Sequence, residues 1–278
     1  MAQPGIKNFI PRTFLAADEI AAFETRGYHI HEALFDAGEV SAIREACAVV
    51  CDRGAYATGV APDVVYWKPG DDPLAVRKID NSWKASDVIR DAVTHPRLGH
   101  IAGQLINAPG IRLWHDQYLY KPERGGKTVT WHQDWAYWQM VAECETVTCW
   151  IALCDVTVDM GPMVYLAGSH KHGLQPLPEG ISGEEECRPE NMDGEEVVVT
   201  IKAGQVGFHH GLLLHGSGKN MSEIPRVGLV SHTISTACTY KPGQHHFNED
   251  KMKEQPTIPK PGERFSGPQF PMMWSSDK

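Results

Sequence analysis

The chain has 278 residues, of which 42% are hydrophobic and 22% are charged, as expected for a globular protein with a large core. Its formal net charge of -9 argues against a general nucleic-acid or anionic-membrane surface, because both kinds of partner are drawn to basic patches. No stretch approaches the ~18 apolar residues of a membrane span, and the first residues lack the apolar core of a signal peptide. The seven cysteines form no CxxC pair, so we expect a cytoplasmic protein with reduced thiols and with neither a nucleic-acid nor a membrane partner.

Helical patterns predominate in the N-terminal part of the chain, about residues 14–106. Apolar residues at helical spacing, each series ending near a glycine, predict helices over 13–27 and 36–54, and a third helix is expected around 95–106. A short strand is predicted over 28–35, between the first two helices.

The pattern changes over about residues 111–236, where short runs rich in β-branched and aromatic residues alternate with Gly, Pro, Asn and Asp. Strands of this kind, preceded by helices, predict a mainly β protein with flanking α-helices, in which an antiparallel sandwich of jelly-roll or cupin-like form has helices packed on one face. The predicted strands are 111–120, 127–134, 145–155, 161–168, 195–201, 205–215 and 226–235.

Two segments are predicted to be irregular. Residues 171–195 are rich in Pro, Gly and acidic side chains, and a loop of that length is either an ordered lid or disordered. The tail over 240–278 has few apolar residues, so it either wraps the domain or is mobile. Because no boundary separates these parts, we expect a single domain over 1–278.

The run "WHQDWAYW", residues 131–138, places a histidine and an aspartate two positions apart among aromatic rings. Side chains alternate along a strand, so His132 and Asp134 are expected on one face, where burial of both requires a partner. An imidazole and a carboxylate are two thirds of the facial triad that holds Fe(II) in non-haem oxygenases. The alternative at this point is a histidine and an aspartate bonded to each other in a turn.

A third ligand must come from another strand, and His215 stands out because it ends an apolar strand before a glycine-rich turn. Arg226 opens the next strand, and in an antiparallel hairpin these two residues would lie near each other. A guanidinium group binds a carboxylate through two parallel charge-assisted hydrogen bonds. A dicarboxylate such as 2-oxoglutarate could therefore chelate iron with one end and pair with Arg226 at the other.

Residues 14–236 resemble the phytanoyl-CoA dioxygenase family of Fe(II)/2-oxoglutarate-dependent oxygenases. The resemblance is carried by "WHQD…YW", "CWIALCDVTVDMGPMVYLAGSHKHG" and "HHGLLLHGSGKN…PRVGLVSH", in this order. It implies a double-stranded β-helix core, Fe(II) as cofactor, and 2-oxoglutarate and O2 as co-substrates. It also implies that His132, Asp134 and His215 are the iron ligands and that Arg226 binds the distal carboxylate of 2-oxoglutarate.

The resemblance implies further contacts with 2-oxoglutarate from four side chains, of which the last is aligned loosely: Ser217, Trp150, Gln117 and Lys78. Trp150 could instead be plain core, and Ser217 could merely cap its turn. The sequence departs from the family at Val227, where a second arginine is frequent. Halogenation is not expected, because the halogenating relatives replace the carboxylate ligand with a small residue and this chain retains it.

The substrate cavity is predicted from the rings around the motif and from one histidine. His232 shares the face of Arg226 on its strand and could form a hydrogen bond to the substrate, whereas His209 and His210 are expected to be satisfied core residues. The rings either line the cavity or pack in the core: Trp135, Tyr137, Trp138 and Trp114. The basic hairpin with Lys121, Arg124 and Lys127 is expected to be a solvated face, or alternatively to receive an anionic substrate group.

These residues predict an oxygenase that hydroxylates an unactivated C–H bond of a small-molecule metabolite or natural product and releases succinate and CO2. The iron-bound oxygen species is expected to carry the oxidation, with no separate protein acid or base. Desaturation, epoxidation, rearrangement and acyl-CoA hydroxylation are alternative outcomes, and a cupin-like metal hydrolase or isomerase and a non-catalytic 2-oxoglutarate sensor are rival functions. The partner is a small-molecule substrate, and the protein is expected to be a monomer or homodimer.

Overall fold

The computed structural model describes residues 12–175, 194–243, 246–254 and 258–276. Within them, two antiparallel sheets pack face to face, and helices cover the outer face of the larger sheet. Most of the acidic segment 171–195, the predicted lid or disordered loop, lies outside the described residues. No helix in the described part of the chain is long and apolar enough to cross a membrane.

The helices of the N-terminal part are α1 (Ala17–Arg26), α2 (Ala37–Arg53), α3 (Asp87–Val93) and α4 (Pro96–Leu105). The carboxylate of Asp36 accepts the backbone N–H of Glu39 and caps the start of α2. Gly54 ends this helix in the left-handed region, at φ 56°. The three predicted helices are confirmed. The sequence pattern does not reveal α3, because its 7 residues are too few to show a helical repeat.

The strands are β1 (Tyr28–His31), β2 (Val64–Val65), β3 (Arg77–Asp80), β4 (Gly110–Lys121), β5 (Val129–His132), β6 (Thr146–Ala152), β7 (Met163–Leu166), β8 (Glu196–Val198), β9 (Val206–His210), β10 (His215–Ser217), β11 (Arg226–Ser235) and β12 (Met272–Ser275). The larger sheet has the order β1-β9-β6-β11-β4-β3-β2, with β12 also paired to β4. The smaller sheet has the order β5-β10-β7-β8.

The two faces of the larger sheet bury different clusters. Ile151 and Leu229 pack with residues of the helices, whereas Trp150 and Val230, one position away on the same strands, pack against Tyr165 of the smaller sheet. This alternation is the period of two expected for strands buried on both faces. The predicted double-stranded β-helix with flanking helices is confirmed.

The predicted strand 205–215 is divided between the sheets. β9 ends at His210 in the larger sheet, and β10 begins at His215 in the smaller sheet after a turn. The expected hairpin between His215 and Arg226 is therefore wrong, because β10 and β11 belong to opposing sheets. The two side chains line the same cavity from opposing sheets rather than from one strand pair.

The tail is more regular than its composition indicates. It contributes α5 (Phe247–Lys253) and β12, which pairs with β4. Phe265 and Phe270 are buried beside Trp114, and the rings of Trp114 and Phe270 stack with centroids 5.3 Å apart. A few large aromatic residues are enough to dock the tail. Of the two alternatives for this segment, the structure therefore shows the one in which the tail wraps the domain.

Candidate metal centre and its cavity

His132, Asp134 and His215 come together at the interior edge of the smaller sheet. His132 ends β5 and lies directly opposite His215, the first residue of β10. Alternation predicted that Asp134 continues the strand. Instead, Asp134 begins a short 3-10 turn over Asp134–Tyr137. One nitrogen of each histidine and one carboxylate oxygen lie within 4.8 Å of one another.

Backbone carbonyl groups orient both imidazoles. Nδ1 of His132 lies 2.8 Å from the carbonyl oxygen of Thr130, and Nδ1 of His215 lies 2.9 Å from that of Leu213. Since a carbonyl only accepts, each Nδ1 carries a proton, and in the neutral tautomer each Nε2 then exposes a lone pair. Both Nε2 atoms lie 3.6 Å from Oδ1 of Asp134. Burial lowers the pKa of His215 well below its ordinary value and so keeps this imidazole neutral.

The second carboxylate oxygen of Asp134 is held by the protein. Oδ2 accepts the hydroxyl proton of Thr148 at 2.6 Å and the Nε2–H of His209 at 3.0 Å. The Nδ1 atom of His209 in turn lies 3.2 Å from the hydroxyl of Tyr165. These bonds leave Oδ1 facing the two Nε2 lone pairs. Three electron-pair donors thus converge with no proton among them, an arrangement that a divalent cation would stabilise.

A buried cationic region lies on the opposite sheet. Arg226 is 3% exposed; its Nη1 donates to the carbonyl of Gly161, and its guanidinium lies 5.6 Å from the ring centroid of Trp150. Burial lowers the pKa of Arg226 to about 10, so the group stays charged at neutral pH. Among the described residues, no carboxylate lies within 4.0 Å of this guanidinium. A buried arginine without an acidic partner indicates an anion site.

Lys121 is the neighbour of Arg226 across β4 and β11, and it is 1% exposed. Its Nζ donates to the hydroxyl of Ser217 at 2.8 Å and contacts the carbonyls of Ser217 and Gly218, so three acceptors match the three N–H groups of the ammonium form. The expectation of a solvated face is therefore wrong for Lys121. It holds for Arg124, which forms an exposed ion pair with Glu223.

One cavity of about 680 Å³ joins the metal site to the cationic region. Most of the residues predicted to act at the site line it: His132, Asp134, His215, Arg226, Ser217, Gln117, Trp150, Lys78, Tyr137, Trp138 and His232. Gln117 and Lys78 lie on the neighbouring strands β4 and β3. The Nζ of Lys78 is 3.5 Å from a carboxylate oxygen of Asp80, which gives this lysine an acidic partner.

Two of the predicted aromatic residues do not line the cavity. A register shift between β4 and β11 lies at Trp114, and this β-bulge points the ring into the cluster formed with the tail. Trp135 directs its indole N–H to the carbonyl of Val141 at 2.9 Å, beside the 3-10 turn. Tyr137 and Trp138 line the cavity as expected.

Several cavity residues are not revealed by the sequence pattern. Thr148 lies two positions from Trp150 on β6, and His115 lies two positions from Gln117 on β4, so alternation from predicted residues could have found both. His209 is a satisfied buried histidine, as expected, but no spacing rule connects it to Asp134.

The comparisons with known proteins agree with this geometry. The family model for phytanoyl-CoA dioxygenase matches residues 23–228. An ectoine dioxygenase of Bordetella parapertussis is 25% identical over 252 residues, covering 84% of this chain and 80% of the relative. A probable alpha-ketoglutarate-dependent hypophosphite dioxygenase of Stutzerimonas stutzeri is 29% identical over 225 residues, covering 77% of each protein.

A solved structure is similar over nearly the whole chain. The non-heme alpha ketoglutarate dependent carbocyclase SnoK from nogalamycin biosynthesis is 25% identical, with a TM-score of 0.71, covering 93% of this chain and 96% of the other. The family match covers strands of both sheets and each of the three converging donors. The chain therefore belongs to the phytanoyl-CoA dioxygenase family of Fe(II)/2-oxoglutarate-dependent oxygenases.

Proposed function

We propose that this Fe(II)/2-oxoglutarate-dependent dioxygenase hydroxylates an unactivated C–H bond of a small-molecule metabolite or natural product and releases succinate and CO2. The observation that carries the proposal is the cavity that joins three converging electron-pair donors to a buried arginine, which has no carboxylate partner in the described part of the chain. The small-molecule names of the ectoine and hypophosphite dioxygenases support the substrate class.

The residues for Fe(II) are His132, Asp134 and His215. Two neutral imidazoles and one carboxylate are the ligand set of non-haem Fe(II) oxygenases, and the set leaves coordination positions for other ligands. When bound, Fe(II) supplies the activation of O2 and the oxidation of the substrate, which no side chain of this cavity could perform. The protein holds the ligands in register through the carbonyls of Thr130 and Leu213 and through Thr148 and His209.

Arg226 would bind the distal carboxylate of 2-oxoglutarate through two charge-assisted hydrogen bonds. Trp150 holds one face of the guanidinium, and it lies so close to β11 that a Cβ at Gly228 would meet its ring at 2.5 Å. Gln117 and Lys78 would contact 2-oxoglutarate from the neighbouring wall of the cavity. Lys78 is the weaker assignment of the two, because Asp80 already lies within ion-pair distance.

Ser217 would donate a hydrogen bond to the same carboxylate, and Lys121 in turn donates a hydrogen bond to Ser217. An ammonium group can only donate, so the Ser217 oxygen accepts from Lys121 and its own hydroxyl proton is free to donate into the cavity. Burial, and then the charge of Arg226, lower the pKa of Lys121 well below its usual range. A carboxylate bound between these groups opposes that lowering, because it favours both cations.

The remaining wall would hold the substrate. Tyr137, Trp138 and His232 line the cavity together with Asp134 and would exclude water from the reacting bond. No separate acid or base is assigned, since the protein positions the reactants and the metal carries the oxidation. A rearranging outcome is the second candidate, favoured by the similarity to the carbocyclase.

The test is a screen of a metabolite panel for O2-dependent succinate release, followed by mass spectrometry of the product. We expect a substrate whose product gains one oxygen atom derived from O2. A product that loses two hydrogens or keeps its composition would replace hydroxylation with desaturation or rearrangement. No succinate with any compound, together with metal-dependent hydrolysis, would overturn the oxygenase assignment for this site.

A further inference from the structure

Two histidines outside the metal triad form a second polar feature of the cavity. His115 on β4 and His232 on β11 are cross-strand neighbours, and their ring centroids lie 4.4 Å apart. Their exposed fractions are 1% and 4%, and both line the cavity. Neither residue is a ligand candidate, because the triad is complete without them.

The hydrogen bonds around Asp134 determine which nitrogen of His232 carries a proton. The single hydroxyl proton of Thr148 is donated to the carboxylate of Asp134, which can only accept. The Thr148 oxygen, 2.9 Å from Nδ1 of His232, must therefore accept from an Nδ1–H. In the neutral ring, Nε2 of His232 is then a bare acceptor, and it is buried with no hydrogen-bond partner among the described residues.

His115 also has buried nitrogens without hydrogen-bond partners among the described residues. Both of its ring nitrogens are buried without a hydrogen-bond partner in the described part of the chain. Burial lowers the pKa of His115 well below its ordinary value, so the ring is neutral and offers one N–H and one lone pair. Leaving such groups unpaired is unfavourable in a folded protein, which indicates that they are matched when the cavity is filled.

Aromatic rings enclose this histidine pair. Trp138 and Phe247 each meet His115 edge to face at 5.4 Å, and Trp138 also lies 4.7 Å from His232. The combination of an apolar enclosure with a few convergent polar atoms is typical of a small-molecule subsite. A carboxylate cannot donate to the bare Nε2 of His232, and an ammonium group cannot accept the N–H of His115. A hydroxyl oxygen can do both.

We propose that His115 and His232 bind a neutral hydroxyl group of the substrate, an alcohol or a phenol, which donates to Nε2 of His232 and accepts the N–H of His115. This inference rests on the proposed function, since the pair shares its cavity with the metal ligands. It narrows the substrate class to hydroxylated molecules with an apolar body next to the hydroxyl, and it makes His115 a specificity-determining residue.

The experiment compares fragments that share one ring and differ in one group. Phenol, anisole, benzoate and benzylamine are titrated into the anaerobic enzyme loaded with Fe(II) and 2-oxoglutarate, and binding is measured by ligand-observed NMR. We expect phenol to bind about ten-fold more tightly than anisole, because anisole leaves the acceptor of His232 unpaired. Benzoate and benzylamine should bind no better than anisole.

Variants separate this subsite from the iron chemistry. His115→Phe and His232→Phe should each abolish the preference for phenol over anisole, whereas His172→Ala, on the exposed surface, should retain it. The visible band of the enzyme with Fe(II) and 2-oxoglutarate should persist in His115→Phe. Loss of that band in the wild-type enzyme would defeat the proposed function, whereas an intact band with equal phenol and anisole affinities would defeat only the hydroxyl subsite.

Thermal stability distinguishes a binding role from a structural one. His115→Phe retains the ring and removes two unpaired buried nitrogens, so its melting temperature should be unchanged or higher in the ligand-free protein. A clear fall in melting temperature would show that His115 stabilises the fold, and a preference for phenol that survives the substitution would overturn its role in binding.

Discussion

The two ends of the cavity differ in how their polar atoms are satisfied. Around Asp134, protein groups hold one carboxylate oxygen and both Nδ1 atoms, so the atoms left free all point to one place. Around His115, both nitrogens lack a partner among the described residues. The first pattern suits a small ion of fixed geometry. The second suits a polar group of the substrate, because the protein leaves its own polar atoms without partners.

The largest effect of a substitution is expected at the metal end of the cavity. Replacing Asp134 with Ala removes one of the three converging donors. We expect O2-dependent succinate formation to fall by more than about 100-fold, because replacing a group that only holds a metal ligand already lowers metal affinity or activity by about 10- to 100-fold. Iron content measured after desalting should fall with it. Asp18→Ala, on the exposed surface of α1, is the control. Activity that persists in the Asp134 variant would remove the triad from the account.

The cationic region is tested by Arg226→Met. Loss of two charge-assisted hydrogen bonds should raise KM for 2-oxoglutarate by about 100-fold or more. The preference for 2-oxoglutarate over 2-oxobutyrate, which lacks the distal carboxylate, should shrink with it. The control is Arg124→Met, which breaks only an exposed ion pair. An unchanged KM in the Arg226 variant would place the co-substrate elsewhere.

Thr148 connects the two ends, because it donates to Asp134 and accepts from His232. Thr148→Val should weaken Fe(II) binding by about 10- to 100-fold, the range typical of groups that hold a metal ligand. It should also reduce the preference for phenol over anisole, since the proton of His232 is no longer confined to Nδ1. If iron affinity changes and the phenol preference does not, the two ends are independent.

The smallest effect is expected at Lys121. Lys121→Met and Ser217→Ala should each raise KM for 2-oxoglutarate by about ten-fold with little change in kcat, and the double variant should be no worse than either. Fully additive effects would show that the lysine does not act through the serine.

The sequence identifies the metal end more completely than the substrate end for a physical reason. Three local patterns mark the metal end: the motif at 131–138, the histidine before a glycine-rich turn and the arginine that opens a strand. Each can be recognised in the sequence without knowledge of the fold. The pairs His115–His232 and Lys121–Arg226 depend on the register of β4 against β11, which no short pattern specifies.

The predictions that are wrong involve turns, bulges and strands that change sheets. Alternation is a safe guide only inside one unbroken strand, and it fails for Asp134, which lies in a turn, and for Trp114, which lies at a bulge. The hairpin expected between His215 and Arg226 fails because adjacent strands of a jelly roll can belong to opposite sheets. The order of the tail is not evident from its composition, because only a few aromatic residues pack it against the domain.

The central claim is that one cavity binds Fe(II) and 2-oxoglutarate together. The most direct measurement is an anaerobic titration of the purified protein with both, followed by visible absorption. We predict a weak charge-transfer band that requires both additions, saturates at one 2-oxoglutarate per iron and bleaches when O2 is admitted with release of succinate. Absence of the band in iron-loaded protein, or a band unaffected by 2-oxoglutarate, would contradict the account.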